Sequence, residues 1–335
     1  MSRASAIPEG LPDDVALVAR EVIGAVLSAC DAGEAVRRNW PESLEDAPRV
    51  RVLAFGKASG PMAKAVFKRL GDRVTEAVVL TPPAWAGRVT HPRARVFAVD
   101  HPVPTERNVD AARAVAACAL DAPTDEPVLV LISGGGSAHL TLPRKGIRLE
   151  DVRAVTDGLL RAGAPIGDLN TVRRAMEQLK GGGLRSVCPS TRMIALVVSD
   201  VIGDDLGTIA SGPLVQGQSG DPLGVLDAWG VGVPVSVRAV MAAARAACAR
   251  PEAEHRIVAS GRLAMDAAVK AGFGLSLVPG KFGGGGRTRV GGPARGVVGR
   301  CQRGVRLGRD HGECGGRDRD GGAESGVGPR GGGGD

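Results

Sequence analysis

Apolar positions along the chain fall into two rhythms. Short runs at residues 49–55, 77–80, 95–99, 128–132, 193–198 and 256–260 are dominated by Val, Leu and Ile, as in strands buried on both faces of a parallel sheet. The stretches between them carry helical spacing. Residues 13–33 repeat apolar side chains at Val15, Leu17, Val18, Val22, Ile23, Val26 and Leu27 and close at Gly33. Further helices are predicted from Met62 to Leu70, from Val109 to Leu120, over 149–162, 170–180 and 222–250, and from Leu263 to Gly272. This alternation predicts an α/β fold: a three-layer, Rossmann-like, mostly parallel sheet with helices on both faces and functional loops at the carboxyl ends of strands.

Those loops hold the candidate chemistry. The strand at 128–132 runs straight into Ser133-Gly134-Gly135-Gly136-Ser137. Three glycines permit a sharp turn and leave backbone N–H groups uncovered, which suits an anion, most often a phosphate; a tight turn with no ligand is the alternative. The first strand ends at Gly56-Lys57-Ala58-Ser59-Gly60-Pro61, which places an ammonium group at a helix start. The helix dipole favours an anion there, so a lysine needs another reason to be present, although a solvated lysine has the same spacing. The loop is not a Walker A motif. His101, after the third strand, reads on its own as structural. On the helix predicted over 170–180, Asn170, Arg173, Arg174, Glu177 and Lys180 form a polar, mostly basic stripe that ends at three glycines. Such a stripe is a solvated face or, through Lys180, a phosphate contact. The strand at 193–198 leads to Ser199-Asp200-Val201-Ile202-Gly203-Asp204-Asp205. Carboxylates beside a phosphate loop hold Mg²⁺ or act as a base, unless Asp204 or Asp205 simply caps a turn.

Composition narrows the classes. Only 2 % of residues are aromatic, with no Tyr, which argues against stacking platforms for single-stranded nucleic acid. The six cysteines are scattered, without zinc spacing, as expected of reduced thiols in a cytoplasmic protein. The first ten residues lack the apolar core of a signal peptide, and no run reaches transmembrane length. Of the net charge of +7, residues 276–335 hold +5, from 11 Lys/Arg against 6 Asp/Glu. The basic character is therefore a property of an odd tail rather than of a nucleic-acid-binding face.

Taken in order, Gly56–Ala63, His101-Pro102-Val103-Pro104, Ser133–Ala138, Asn170 through Leu184, and Ser199–Asp205 through Ile209-Ala210-Ser211-Gly212-Pro213 resemble the glycerate 2-kinases. In that family a second domain carries the "multi-organism fragment with rich leucine" (MOFRL) module. The resemblance covers roughly residues 13–275. It implies ATP-dependent phosphorylation of D-glycerate to 2-phosphoglycerate with Mg²⁺. It implies that Lys57 is the catalytic lysine, neutralising charge on the transferring phosphoryl group. It also implies that Ser133, Gly134, Gly135, Gly136 and Ser137 hold substrate or phosphate, with Arg173 and Lys180 as further binding residues. A metal role for Asp200 and Asp205 is an additional expectation. The partners implied are D-glycerate and a nucleotide, with neither nucleic acid nor membrane; a homodimer is an open option. Departures are His139 where the family prefers an aliphatic residue, Ala175-Met176-Glu177 in place of a Ser-containing segment, and Leu214 in place of Thr.

The large departure comes later. Residues 13–250 read as the family's first domain and 251–279 as the start of its second. Residues 280–335 are about two-fifths Gly with no periodicity, a composition that cannot offset chain entropy. The Ser-Gly-Gly-Glu-Thr-Thr, Gly-Gly-Arg-Asn and Asp-rich segments implied by the resemblance, which would supply a further catalytic Arg and Asp, are missing. The tail reads as a disordered, frame-shifted rendering of that domain: Asp310-His311-Gly312-Glu313-Cys314 can be encoded so that a one-base shift gives Thr-Thr-Val-Ser-Val. An Arg/Gly-rich RNA-binding tail is the rival reading, without regular repeats or interleaved aromatics to support it. Little or no kinase activity is therefore expected of the chain as written, since phosphoryl transfer needs charge neutralisation from several sides. The alternatives are a non-catalytic fragment and a hydroxypyruvate reductase. Against the reductase stand the missing G-x-G-x-x-G after the first strand and the missing acidic residue to read a ribose.

Overall fold

The computed structural model describes residues 13–217, 220–244 and 250–270. In chain order the elements are α1 (Asp13–Cys30), α2 (Ala32–Arg38), β1 (Val50–Phe55), α3 (Ser59–Leu70), β2 (Val74–Thr81), α4 (Pro83–Ala86), β3 (Ala94–Ala98), α5 (Glu106–Leu120), β4 (Val128–Ser133), α6 (Gly136–His139), α7 (Leu149–Ala162), α8 (Ile166–Met176), α9 (Gly183–Val187), β5 (Met193–Val198), α10 (Pro222–Ala228), α11 (Val235–Ala242), β6 (Glu254–Ala259) and α12 (Gly261–Lys270). The strands form one sheet in the order β3-β2-β1-β4-β5-β6, with every neighbouring pair parallel. This is the order of the doubly wound dinucleotide-binding sheets, in which ligands sit where the winding reverses. Here that point lies between β1 and β4, in register from Arg51 beside Val128 to Phe55 beside Ile132.

Period-two alternation sends each strand's side chains to two separate cores. Leu53 and Phe55 of β1 join Val130 and Ile132 of β4 on one face, under Val115 and Cys118 of α5 and Leu184 of α9. Val50, Val52 and Ala54 join Leu129 and Leu131 on the other, under Val36 of α2 and Met62 and Val66 of α3. All six residues of β1 and of β4 are buried, which is why their sequences read as unbroken apolar runs. A third cluster, with Val155 and Leu159 of α7, Val172 and Met176 of α8, Leu226 of α10 and Val237 and Met241 of α11, forms a helical outwork after β4.

Several expectations need correction. The helix over 13–33 is two helices: the Asp31 side chain accepts from the Glu34 N–H and restarts the chain as α2, so Gly33 lies inside a helix rather than closing one. The helix over 170–180 starts earlier and stops at Met176. Glu177 turns extended, pairs with Pro143, and is followed by Gln178 N–H donating to Leu142 O. The stretch 222–250 contains α10 and α11, separated around Gly230 and Pro234. Of the stretch 251–279, the described residues 251–270 do not open a second sheet, and residues 271–279 lie outside the described residues. β6 hydrogen-bonds to β5 as the sixth strand of the first one, and α12 packs against α1. All the described residues belong to one compact unit. The expected tail from 280 lies outside the described residues. Among the described residues, no helix is long and apolar enough to cross a membrane.

Candidate active site

The loops after β1 and β4 meet at the winding reversal. The Lys57 N–H donates to Gly134 O at 2.8 Å, and the Ala58 N–H donates to Ser133 Oγ at 3.0 Å. Two glycines make the approach possible. A Cβ on Gly134 would sit 2.0 Å from Asp200 Oδ2, so this carboxylate rests directly on the loop backbone. Gly135 has φ +81°, and a Cβ there would meet the His101 ring at 2.8 Å and Lys57 Cε at 3.1 Å. Lys57, His101 and Asp200 thus converge on the glycine loop, and all three are solvent-exposed. Among the described residues nothing accepts from the N–H groups of Gly135, Gly136 and Ser137. Free N–H groups next to an ammonium form an arrangement that holds an oxyanion.

A layer beneath the loop fixes it. The Ser137 and Ser211 hydroxyls are 2.9 Å apart, and the Ser211 Oγ donates to Asn170 Oδ1 at 2.8 Å. Ala210 and Ser211 take positive φ values of 52° and 63° to bring that hydroxyl into place, backbone strain of the kind concentrated at functional sites. Lys180 is fully enclosed. Its Nζ donates to Ser137 O at 2.8 Å, Leu140 O at 3.1 Å and Glu177 Oε2 at 2.8 Å. This corrects the expected role of Lys180 in contacting phosphate: all three of its donors are used inside the protein, and it acts as a strut under Ser137. Burial lowers its pKa while Glu177 opposes the shift. Arg173, three residues after Asn170 in α8, is half-buried, and burial lowers its pKa too.

Two histidines complete the surroundings. His139 is buried and its Nδ1 accepts from the Gly56 N–H at 3.1 Å, which holds the β1 loop to α6. Burial pushes its imidazole down to about 4, so it is neutral at neutral pH. The His101 ring stands 6.1 Å from it, edge to face. Partial burial and the nearby Lys57 ammonium lower the His101 pKa, while Asp200 opposes them. His101, which on its own read as structural, stands at the glycine loop beside Lys57 and Asp200. Its signals were its position at a strand's carboxyl end and its place in the His101-Pro102-Val103-Pro104 motif.

Of the expected Asp200/Asp205 pair, Asp205 is engaged within its own turn. Asp205 accepts from Thr208 Oγ at 2.6 Å and from the Gly207 N–H at 3.4 Å. These bonds, Thr208 foremost, and the Arg174 guanidinium hold its carboxyl below the usual range. It is a turn cap, the alternative that the sequence had left open. Among the described residues, no group of three or more His, Cys, Asp or Glu could hold a metal ion.

Comparison with known proteins identifies the family and the fold. The family model described as Domain of unknown function (DUF4147) matches residues 18–242. An Agrobacterium vitis protein with a provisional hydroxypyruvate reductase name is 35 % identical over 268 residues, 78 % of this chain and 60 % of that protein. A D-glycerate 2-kinase of Thermotoga maritima is 35 % identical over 230 residues, 68 % of this chain and 54 % of that protein. The crystal structure of a Thermotoga maritima glycerate kinase superimposes with a TM-score of 0.71 at 32 % identity, covering 78 % of this chain and 62 % of that one. The chain thus spans between 54 % and 60 % of the length of these two curated relatives.

Proposed function

The chain belongs to the DUF4147 family, whose domain it shares with glycerate kinases, and from that premise we propose that it is a phosphotransferase of the glycerate 2-kinase type. In this reading the γ-phosphoryl group of ATP passes to the 2-hydroxyl of D-glycerate: the bond from phosphorus to the bridging oxygen of ADP breaks as the bond to the acceptor oxygen forms. Lys57 neutralises charge developing on the phosphoryl oxygens, and the N–H groups of Gly135, Gly136 and Ser137 orient them. Asp200 is the carboxylate placed against this loop. The observation that carries the reading is the meeting of Lys57 with the Ser133–Ser137 loop at the reversal of the winding.

The reductase reading has less support. The β1 loop, Gly56-Lys57-Ala58-Ser59-Gly60, lacks the glycine spacing that receives a dinucleotide pyrophosphate, and β2 ends at Thr81-Pro82, with no acid to read a ribose. The test combines ligand binding and product analysis on the purified chain. ATP and D-glycerate bind, turnover is slight or nil for lack of the second domain's groups, and any phosphate that is transferred appears on the 2-position of glycerate. Hydroxypyruvate-dependent NADH oxidation, or failure to bind either ligand, would overturn the proposal. We also propose that the tail from residue 280 is a frame-shifted reading; an uninterrupted gene with no kinase motifs in its alternate frames refutes that.

A further inference from the structure

A cavity of about 890 Å³ lies between α8, α9, α10 and α11, a volume suited to a small organic ligand. Its described lining includes none of Lys57, His101, Asp200 and the loop 133–137. One part of the wall is apolar, from Val187, Leu223, Met241, Ala242 and Ala243; another carries Arg144 and Arg174. The Arg144 Nη2 donates to Arg174 O at 3.3 Å, and the Arg174 Nη2 donates to Gly207 O at 2.8 Å. Among the described residues both Nε–H groups are buried without an acceptor, neither Nη1 has one, and neither guanidinium forms an ion pair. Lys180 also lines the cavity, but it is paired with Glu177. The one carboxylate in the described lining, Asp221, caps α10 by accepting from the Gly224 N–H at 2.9 Å. Burial lowers the pKa of both arginines; Asp205 opposes the shift at Arg174, and no acid opposes it at Arg144. Partly desolvated cations short of acceptors are unfavourable until an anion supplies them.

We infer that this cavity is a second binding site, for a phosphate ester, whose phosphate meets Arg144 and Arg174 and whose organic part lies against the apolar wall. A carboxylate has two oxygens, and one guanidinium fork satisfies it. A phosphate monoester has three free oxygens and up to two charges, which two guanidiniums can share. The apolar wall adds affinity only to a ligand with an organic body, so inorganic phosphate fits less well. The inference does not depend on the phosphotransferase reading, because none of the groups assigned to phosphoryl transfer lines the cavity. The ester can belong to the nucleotide or to a separate phosphorylated metabolite; the chemistry is shared, and competition with ATP separates the two.

The experiment uses the full 335-residue chain and calorimetric titration with phenyl phosphate, inorganic phosphate and phenol. Phenyl phosphate binds the wild-type chain more tightly than either of the others. Arg144→Met keeps the apolar stem, removes one fork and weakens phenyl phosphate at least about tenfold. Ala243→Trp, which narrows the cavity from an exposed position in its wall, weakens it as well. Lys57→Met, at the glycine loop, leaves it within about twofold. Phenyl phosphate that still binds under saturating ATP assigns the cavity to a separate metabolite; phenyl phosphate displaced by ATP assigns it to the nucleotide's own phosphates. Absence of binding overturns the inference. So does binding that is lost in Lys57→Met and kept in Arg144→Met, which places the ligand at the glycine loop. Phenol as tight as phenyl phosphate shows that the arginines are not used, and inorganic phosphate as tight shows that the apolar wall is not; either overturns it. If Arg144→Met does not fold, Ala243→Trp decides, and unchanged affinity there overturns the inference.

Discussion

Replacing Lys180 with Met separates two roles that the sequence could not tell apart. The lysine Nζ makes three hydrogen bonds at 2.8–3.1 Å, to Ser137 O, Leu140 O and Glu177 Oε2, and its side chain is 1 % exposed. Met fills nearly the same volume, so little cavity cost is added. What remains is a buried carboxylate without its closest partner and two carbonyls without a donor. Breaking a buried pair from one side costs about 3–5 kcal/mol, and each orphaned carbonyl adds about 1–3 kcal/mol. Arg173 remains nearby to offset part of the Glu177 charge, so the expected loss in urea unfolding is about 3–5 kcal/mol in total. ATP affinity falls as well, because the loop that Lys180 supports carries Ser137. A Lys180→Met/Glu177→Gln double variant recovers at least ~1 kcal/mol relative to the single one, since no unpaired charge remains. A loss below about 1 kcal/mol combined with weak ATP binding would refute the reasoning and restore Lys180 as a direct phosphate ligand.

Other outcomes follow from the same geometry. His139 is held at about 4 when folded, against about 6.5 when unfolded. Between these values the unfolded chain binds the extra proton, so the His139 contribution is constant above pH ~6.5 and stability falls through it by up to about 3 kcal/mol as pH drops toward 4; His139→Leu reduces this slope in pH-dependent unfolding, at the expense of the Gly56 N–H acceptor. Gly183→Ala places a Cβ 1.9 Å from the Gln178 carbonyl oxygen and costs at least ~2 kcal/mol in urea unfolding. Gly134→Ala meets the movable end of Asp200 instead, so stability falls by less than about 1 kcal/mol while ATP binding weakens. Asp205→Ala loses a turn cap worth about 1 kcal/mol, and leaves the Mg²⁺ dependence of ATP binding unchanged in calorimetry.

The sheet was legible because burial on both faces forces uninterrupted apolar strands: Val128–Ile132 and Met193–Val198 emerge from the sequence almost to the residue. The loops at their ends were legible because glycine, charge and strand end coincide in Ser133–Ser137 and Gly56–Lys57. Helix ends were less so. Nothing local says that α8 stops at Met176, because the stop is imposed by backbone pairing of Glu177 with the distant Pro143. That one tertiary contact turns Lys180 from the end of an exposed stripe into a buried strut, and Glu177 from a surface acid into its partner. Asp205 was ambiguous for another reason: a carboxylate that caps a turn and one that binds a metal have the same local sequence, and only the partners Thr208 and Gly207 decide. His101 read on its own as structural because its neighbours, Lys57 and Gly135, come from other strands. β6 was assigned to a second domain because strand order in a parallel sheet is not written locally in the sequence.

In the function proposed above, Lys57 and the glycine loop form one phosphoryl-binding site where the winding reverses. Calorimetric titration of ATP into the wild-type chain and Lys57→Met tests it most directly. Lys57 is exposed and makes no ion pair among the described residues, so the substitution leaves thermal stability in place. The account predicts ATP affinity at least about tenfold weaker in the variant, equivalent to ~1.4 kcal/mol. Equal affinity in the two proteins would contradict it.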